Sequence, residues 1–166
     1  MKYKNIAALL AAAMMALTLL AGCAKGGAEN ALDLTEVNAI VQENGCKTRV
    51  TASGALKRAV NETAEWAAAY NADEVTKDRI ERHMTQKLDS WNRTAGLSPR
   101  LVTAEELQAG VESASLGTVH TPEEMAAGIV LSMNDILRQV EYEAAAAQAT
   151  TRDGTVCWIV VVIYYL

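Results

Sequence analysis

Apolar residues recur every three or four positions in several parts of the chain, which predicts amphipathic helices. The first predicted helix begins at Asp33-Leu34-Thr35-Glu36, where an aspartate can cap the first turn. It ends at Asn44-Gly45, a pair that tolerates the left-handed backbone found at helix ends. A second helix is predicted from near Ser53 to about Tyr70. Residues 74–96 are charged and weakly periodic, which favours a further helix or helical turns. Its expected apolar anchors are Ile80, Met84, Leu88 and Trp91.

The middle of the chain is less uniform. Residues 96–100 contain Gly96 and Pro99 and are predicted to form a turn. Residues 100–115 leave two alternatives open, because Leu101-Val102-Thr103 favours a strand and residues 104–109 favour a helix. Thr121-Pro122-Glu123-Glu124 predicts a helix start, since it offers a cap, a proline in the first turn and two acidic residues. This helix is predicted to continue to about residue 140.

The last part of the chain predicts an antiparallel pair of strands. Residues 142–150 and 156–165 are separated by Thr151-Arg152-Asp153-Gly154, and Asp-Gly between apolar runs is typical of a hairpin. The second run is rich in β-branched and aromatic residues, so we expect a strand buried on both faces. Helices followed by an antiparallel pair that packs against them indicate the α+β class.

The N-terminal residues have the pattern of an export signal. Lys2 and Lys4 precede an apolar run over residues 6–20, and Leu20-Ala21-Gly22-Cys23 follows. This arrangement resembles the lipobox of bacterial lipoproteins, in which the cysteine is acylated and the signal is cut before it. The resemblance implies a signal peptide over residues 1–22, a lipidated tether over residues 23–33 and a folded domain over residues 34–166. The protein is then exported and held at the bacterial cell membrane, facing away from the cytoplasm, by lipid on Cys23. A single uncleaved membrane anchor is the alternative.

Charge and cysteine content narrow the classes of partner. Two of the 15 basic residues and none of the 20 acidic residues precede Cys23, so the remainder carries a net charge of −7. An acidic domain without a basic run is a poor candidate for binding nucleic acid. Cys46 and Cys157 allow either a disulfide in an oxidising compartment or two buried thiols.

Four parts of the chain, taken in order, resemble the CAP superfamily of cysteine-rich secretory, antigen 5 and pathogenesis-related proteins. One of them is the second predicted helix, residues 56–70, which takes the place of the family's alanine-rich long helix. Residues 37–45 read VNAIVQENG, where the family has VNxxRxxNG. Residues 111–115 read VESAS in the place of GENIA, and TPEE follows at residues 121–124. Residues 153–158 read DGTVCW, where DGxxYW is common. The resemblance covers about residues 34–165 and implies a CAP-like three-layer α-β-α sandwich with a C-terminal antiparallel hairpin.

The resemblance also implies a cleft. In the family the cleft holds two histidines and two acidic residues, which bind a divalent metal in some members. His83 takes the place of the first histidine, and Glu112 takes the place of the GENIA glutamate. Residues 131–137 read LSMNDIL and lack the second histidine. One histidine and one carboxylate fall short of the three protein ligands of a catalytic zinc, so at most weak zinc binding is expected. His120, just before the helix cap, is expected to be a solvated loop residue.

Three functional hypotheses follow. The leading one is a lipid-anchored, non-enzymatic envelope protein whose divergent CAP-like domain binds a small apolar ligand, a peptide or a protein partner. The alternative is an envelope hydrolase or protease that uses a remodelled cleft of His83 and Glu112. The third is a structural spacer without a ligand. No phosphate-binding loop, CxxC or HExxH motif supports other chemistries.

Overall fold

The computed structural model describes residues 31–88, 95–137 and 140–166. Its elements, in chain order, are α1 (Leu34–Glu43), β1 (Val50–Thr51), α2 (Gly54–Ala67), a short 3₁₀ helix (Ala72–Glu74), α3 (Lys77–Lys87), β2 (Ala95–Thr103), α4 (Ala104–Ala109), β3 (Val111–Ser113), β4 (Gly117–Val119), α5 (Pro122–Ile136), β5 (Glu141–Thr150) and β6 (Val156–Tyr165). The predicted signal peptide, the predicted acylation site Cys23 and the predicted apolar anchor Trp91 lie outside the described residues.

A mixed four-stranded sheet lies at the centre, in the order β1-β5-β6-β2. Strand β1 runs parallel to β5, whereas β5–β6 and β2–β6 are antiparallel. Strands β3 and β4 form a separate antiparallel hairpin. The mixed α/β character and the C-terminal antiparallel pair are therefore confirmed.

Helices pack on both faces of the sheet because successive strand residues point to opposite sides. On one face, even-numbered residues of β5 and β6 join α1 and α5 in one hydrophobic cluster. On the other face, odd-numbered residues of the same strands join α2 and α3 in a second cluster. We call these the α1–α5 layer and the α2–α3 layer. Among the described residues, no helix combines the length and apolar character that crossing a membrane requires.

The helix starts follow from their caps. The side chain of Asp33 accepts a hydrogen bond from Thr35 N at 2.8 Å, and Ser53 Oγ accepts one from Leu56 N at 3.1 Å. Thr121 and Glu124 form a reciprocal capping box at the start of α5, where Pro122 stands in the first turn. Gly45 has φ +84° just beyond α1, in the left-handed region that favours glycine. These predicted boundaries are confirmed, although α5 ends at Ile136 rather than near residue 140.

The turn predicted over residues 96–100 is wrong, because these residues belong to β2. Pro99 lies opposite Val161 of β6. A proline cannot donate to a strand ladder, but it is tolerated where the missing N–H would face away from the sheet on an edge strand. The two alternatives for residues 100–115 both hold in part. The strand continues to Thr103, and α4 begins at the next residue.

Small side chains bring α2 close to the sheet. Ala59, Ala64 and Ala67 of α2 belong to the same cluster as alternate alanines of β5. Ala67 is fully buried, whereas Ala55 on the same helix is exposed. Because protein interiors are close-packed, a longer side chain at this contact has to displace the helix or the strand.

We therefore expect Ala67→Leu to lower the free energy of unfolding by about 1–3 kcal/mol through overpacking. The matched change Ala55→Leu, made on the exposed face of α2, is expected to alter it by less than about 0.5 kcal/mol. Urea denaturation followed by circular dichroism measures both values. Equal effects of the two substitutions would contradict close packing between α2 and β5.

A second prediction concerns the β5–β6 turn. Asp153 accepts hydrogen bonds from Thr151 Oγ1 and, at 3.1 Å, from Ala72 N. The bond from Thr151, followed by that from Ala72, lowers the pKa of Asp153 from 3.8 to about 2. Because folding lowers this pKa, the stabilisation is present at neutral pH and is lost as the pH falls through 3.8 toward about 2.

We expect Asp153→Asn to be less stable than the natural chain at pH 7 and to lose less of its stability on acidification. Urea midpoints measured between neutral pH and the acid limit test this, with Asp135→Asn at an exposed carboxylate as the matched control. A difference between the natural chain and Asp153→Asn that stays the same at every pH would rule out the proposed linkage.

Candidate functional site

A cavity of about 500 Å³ lies between β2, helix α5 and the segment that joins α4 to the β3–β4 hairpin. It opens on the α1–α5 side of the sheet. We call it the β2–α5 cavity. Of the site residues predicted from the sequence, Glu112 lines it.

Strand β2 and helix α5 supply much of the lining. From β2 come Ser98, Arg100 and Val102, which alternate along the strand and so share a face, together with Leu101 between them. From α5 come residues separated by three or four positions, which lie on one stripe of a helix. They are Met125, Gly128, Ile129, Ser132 and Met133.

Close contact between α5 and the β3–β4 hairpin shapes the opposite wall. A Cβ atom on Gly128 would lie 2.5 Å from Ser113 Oγ and 3.4 Å from Ser113 Cβ, so a larger residue here would force the serine side chain to move. The hydroxyl oxygens of Ser115 and Ser132 lie 2.9 Å apart and form a hydrogen bond across the same contact. Gly110 has φ +105° directly after α4, and this backbone conformation turns the chain from α4 into β3.

The cavity lining includes three charged residues, all of them exposed: Arg100, Glu106 and Glu112. Glu106 already accepts hydrogen bonds from the N–H and hydroxyl of Thr103, at 2.8 and 2.9 Å, in the capping box of α4. The better-buried lining consists of apolar side chains and a few serine hydroxyls such as Ser98. An apolar interior with a few polar groups at the rim is typical of a site for a small apolar molecule.

His83 lies in the other helical layer. Its Nδ1 is 3.0 Å from Thr63 Oγ1, and its ring stacks on Trp66 with centroids 4.8 Å apart and planes at 19°. Burial, and then the charge of Lys87, lower the pKa of His83, which favours the neutral imidazole at neutral pH. From α3, the His83 side chain packs against Thr63 and Trp66 of α2, whereas Glu112 lines a cavity on the opposite face of the sheet. The structure does not bring the two residues together.

The surroundings of His83 form a stack that the sequence analysis missed. The guanidinium of Arg79 lies 4.1 Å from the centroid of Tyr70 and 5.3 Å from that of Trp66, whose ring then contacts His83. A signal was present in the chain, because Trp66 and Tyr70 are four residues apart, as are Arg79 and His83. Arg79 and His83 share a face of α3 for this reason, whereas Tyr70 lies just beyond the end of α2 at Ala67. These contacts explain His83 as a residue that packs α3 against α2.

Metal binding by His83 and Glu112 has no support in this geometry. Over residues 31–88, 95–137 and 140–166, no group of three or more histidine, cysteine, aspartate or glutamate side chains is placed to hold a metal ion. His120 is exposed next to α5, as the sequence predicts, and its backbone N–H donates to Glu124.

The two cysteines of the domain are free thiols on opposite faces of the sheet. Cys46 belongs to the α1–α5 layer and Cys157 to the α2–α3 layer. Of the two alternatives left open by the sequence, this structure has the buried thiols. Burial raises the pKa of Cys157 to about 11, which disfavours the reactive thiolate at neutral pH.

Comparison with known proteins identified no relative of this chain. No protein-family model, curated protein or solved structure matches the chain significantly.

Zinc binding tests directly whether His83 and Glu112 form one metal site. Because His83 and Glu112 lie on opposite faces of the sheet, we expect titration calorimetry with zinc to give the same heat for the natural chain and for His83→Ala. Glu112→Gln is the matched variant at the other residue. One-to-one zinc binding that both substitutions abolish would show that the two side chains meet after all, and would favour the hydrolase hypothesis.

Proposed function

We propose that this chain is an exported bacterial envelope protein, anchored to the membrane by lipid on Cys23, whose divergent CAP-like domain binds a small apolar ligand without catalysis. Two features of the sequence support the first part. They are the short basic and apolar leader and the Leu20-Ala21-Gly22-Cys23 segment. The CAP-like assignment rests on the order of the quoted segments. Helices on both faces of one sheet and the closing β5–β6 pair are compatible with it.

The observation that carries the binding proposal is the β2–α5 cavity. Its volume of about 500 Å³ lies within the range of small-molecule sites, and its inner lining is apolar. Burying apolar ligand surface contributes roughly 25 cal/mol per Å² before the costs of association are subtracted. A small hydrophobic molecule therefore gains from entering the cavity without any reaction.

The chemistry of the lining favours binding over hydrolysis. A serine nucleophile needs a base within hydrogen-bonding distance, and the histidine that the hydrolase hypothesis uses lies in the other helical layer. Glu112 is exposed at the cavity, where it can act as a polar group at the entrance. The same lining can accept an apolar side chain of a peptide, which is the second form of ligand consistent with the cavity.

The test uses N-phenyl-1-naphthylamine, a neutral probe whose fluorescence rises in an apolar environment, with protein that begins at residue 23 and carries Cys23→Ser. We expect saturable one-to-one binding. Ala114→Trp places a large side chain at the cavity, and we expect it to weaken probe binding at least about tenfold, or about 1.4 kcal/mol.

Two matched tryptophan variants locate the probe. Ala55→Trp lies on the exposed face of α2, and Ala68→Trp lines a different groove beside β5. Both are expected to bind like the parent protein. Loss of binding in Ala68→Trp alone, or equal binding by all variants, would count against the β2–α5 cavity as the ligand site.

A further inference from the structure

The methionines that follow Cys23 differ in their exposure to solvent. Three of the six methionines precede Cys23, and the others are Met84, Met125 and Met133. Met84 has no exposed surface and Met125 is 7% exposed, whereas Met133 is partly exposed. A dissolved oxidant has to reach the sulfur atom before it can react. Of these three methionines, Met133 is therefore the one that such an oxidant reaches most easily.

Met133 also lines the cavity to which the proposed function assigns the ligand. It lies in the last turns of α5, next to Ser132, and both residues line the β2–α5 cavity. Earlier on the same stripe of the helix, Met125 and Ile129 line the cavity and are buried. Just beyond Met133, Ile136 is 74% exposed. The stripe becomes more exposed toward the end of α5, so Met133 lies near an open end of the cavity.

The surroundings of Met133 suit a thioether and oppose a sulfoxide. Its side chain packs against the hydrophobic cluster of the α1–α5 layer. A thioether is apolar and polarizable, so it fits among such neighbours. Oxidation converts it into a polar sulfoxide at the same position. A polar group that faces an apolar ligand costs free energy unless it is hydrogen-bonded, so the oxidised side chain disfavours the ligand that the thioether accepts.

We propose that Met133 is a site of oxidation by peroxides, and that its conversion to methionine sulfoxide weakens ligand binding in the β2–α5 cavity. The second part rests on the proposed function, because it concerns the ligand of that cavity. The modification is reversible, since methionine sulfoxide reductases restore the thioether.

The reaction needs only the side chain and the peroxide. A lone pair of the sulfur attacks one oxygen of hydrogen peroxide, the O–O bond breaks, and a sulfur–oxygen bond forms. The leaving hydroxide takes the proton of the transferred oxygen and becomes water. The sulfur is oxidised by two electrons and the peroxide is reduced by two.

Peptide mass spectrometry tests the site. The protein begins at residue 23 and carries Cys23→Ser, as in the probe-binding experiment, and it is treated with hydrogen peroxide. We expect Met133 to gain one oxygen at least about tenfold faster than Met84 or Met125, because both of these are buried. Equal rates for the three methionines would overturn the proposal.

Probe binding tests the consequence. After catalase has removed the peroxide, the oxidised protein is expected to bind N-phenyl-1-naphthylamine at least about tenfold more weakly than the reduced protein. Treatment with methionine sulfoxide reductases of both stereospecificities is expected to restore binding. Unchanged binding after oxidation of Met133 would contradict the proposal, and so would a loss that the reductases fail to reverse.

Three variants identify the responsible sulfur. Met133→Leu keeps an apolar side chain of similar volume, so it is expected to bind the probe both before and after peroxide. Met125→Leu is the matched control at the buried end of the stripe, and it is expected to lose binding on oxidation as the parent does. Met133→Gln has a polar side chain and is expected to bind weakly without peroxide. A Met133→Leu variant that remains sensitive to peroxide would place the effect elsewhere and overturn the proposal.

Protection by the ligand provides a second readout. A molecule in the cavity covers the side chain of Met133, so a saturating amount of probe is expected to slow its oxidation and to leave that of Met84 unchanged. Equal slowing at both residues would show that the probe only consumes peroxide, and would contradict this contact. A reduced parent protein that binds no probe would refute the proposed function, and the control of binding with it. The mass spectra would then show separately whether Met133 is the oxidised residue.

Discussion

The double burial of β6 is the constraint on which the rest of the structure depends. This strand pairs with β2 on one edge and with β5 on the other, and Ile159, Val160, Val161 and Val162 have no exposed surface. Its even-numbered residues belong to the α1–α5 layer, and its odd-numbered residues belong to the α2–α3 layer. Both helical layers therefore need β6 in its register, because a slip by one residue would exchange its two faces.

The side chains of β5 determine how closely α2 approaches the sheet. Its central residues are alanines, which have low intrinsic strand preference, so pairing with β6 rather than propensity holds them extended. In return, the small side chains let α2 pack closely against the strand, and the alanines are buried there. The same composition therefore accounts for the packing against α2 and for the groove beside it.

The parts of the fold that could be predicted are those with local causes. Asp33, Ser53 and Thr121 cap the helices that follow them, and Asp153-Gly154 turns the closing hairpin within a few residues. Strand β2 could not be recognised in the same way. Its partner β6 lies about 60 residues later, and only that pairing makes Pro99 a strand residue.

The candidate site could likewise be predicted only in those parts that have local causes. The spacing along α5 predicted an amphipathic helix, and its stripe lines the cavity with Glu112. The position of His83 in the sequence does not indicate which face of the sheet α3 covers. That choice depends on the connections between α2, α3 and β2, and it places the histidine against Trp66 rather than near Glu112.

Two of the concave surfaces formed by the described residues lie at opposite sides of the sheet, one next to β2 and one next to β5. On one side, α4 and the β3–β4 hairpin enclose the space next to β2, and the result is a cavity that fits a small molecule. On the other side, β1 ends after two residues, and a groove of about 670 Å³ runs between α2 and β5. The alanines of β5 that line this groove, Ala144 to Ala147 and Ala149, are nevertheless buried. Their packing in the two helical layers accounts for that burial, whereas the β2–α5 cavity keeps exposed polar residues at its entrance.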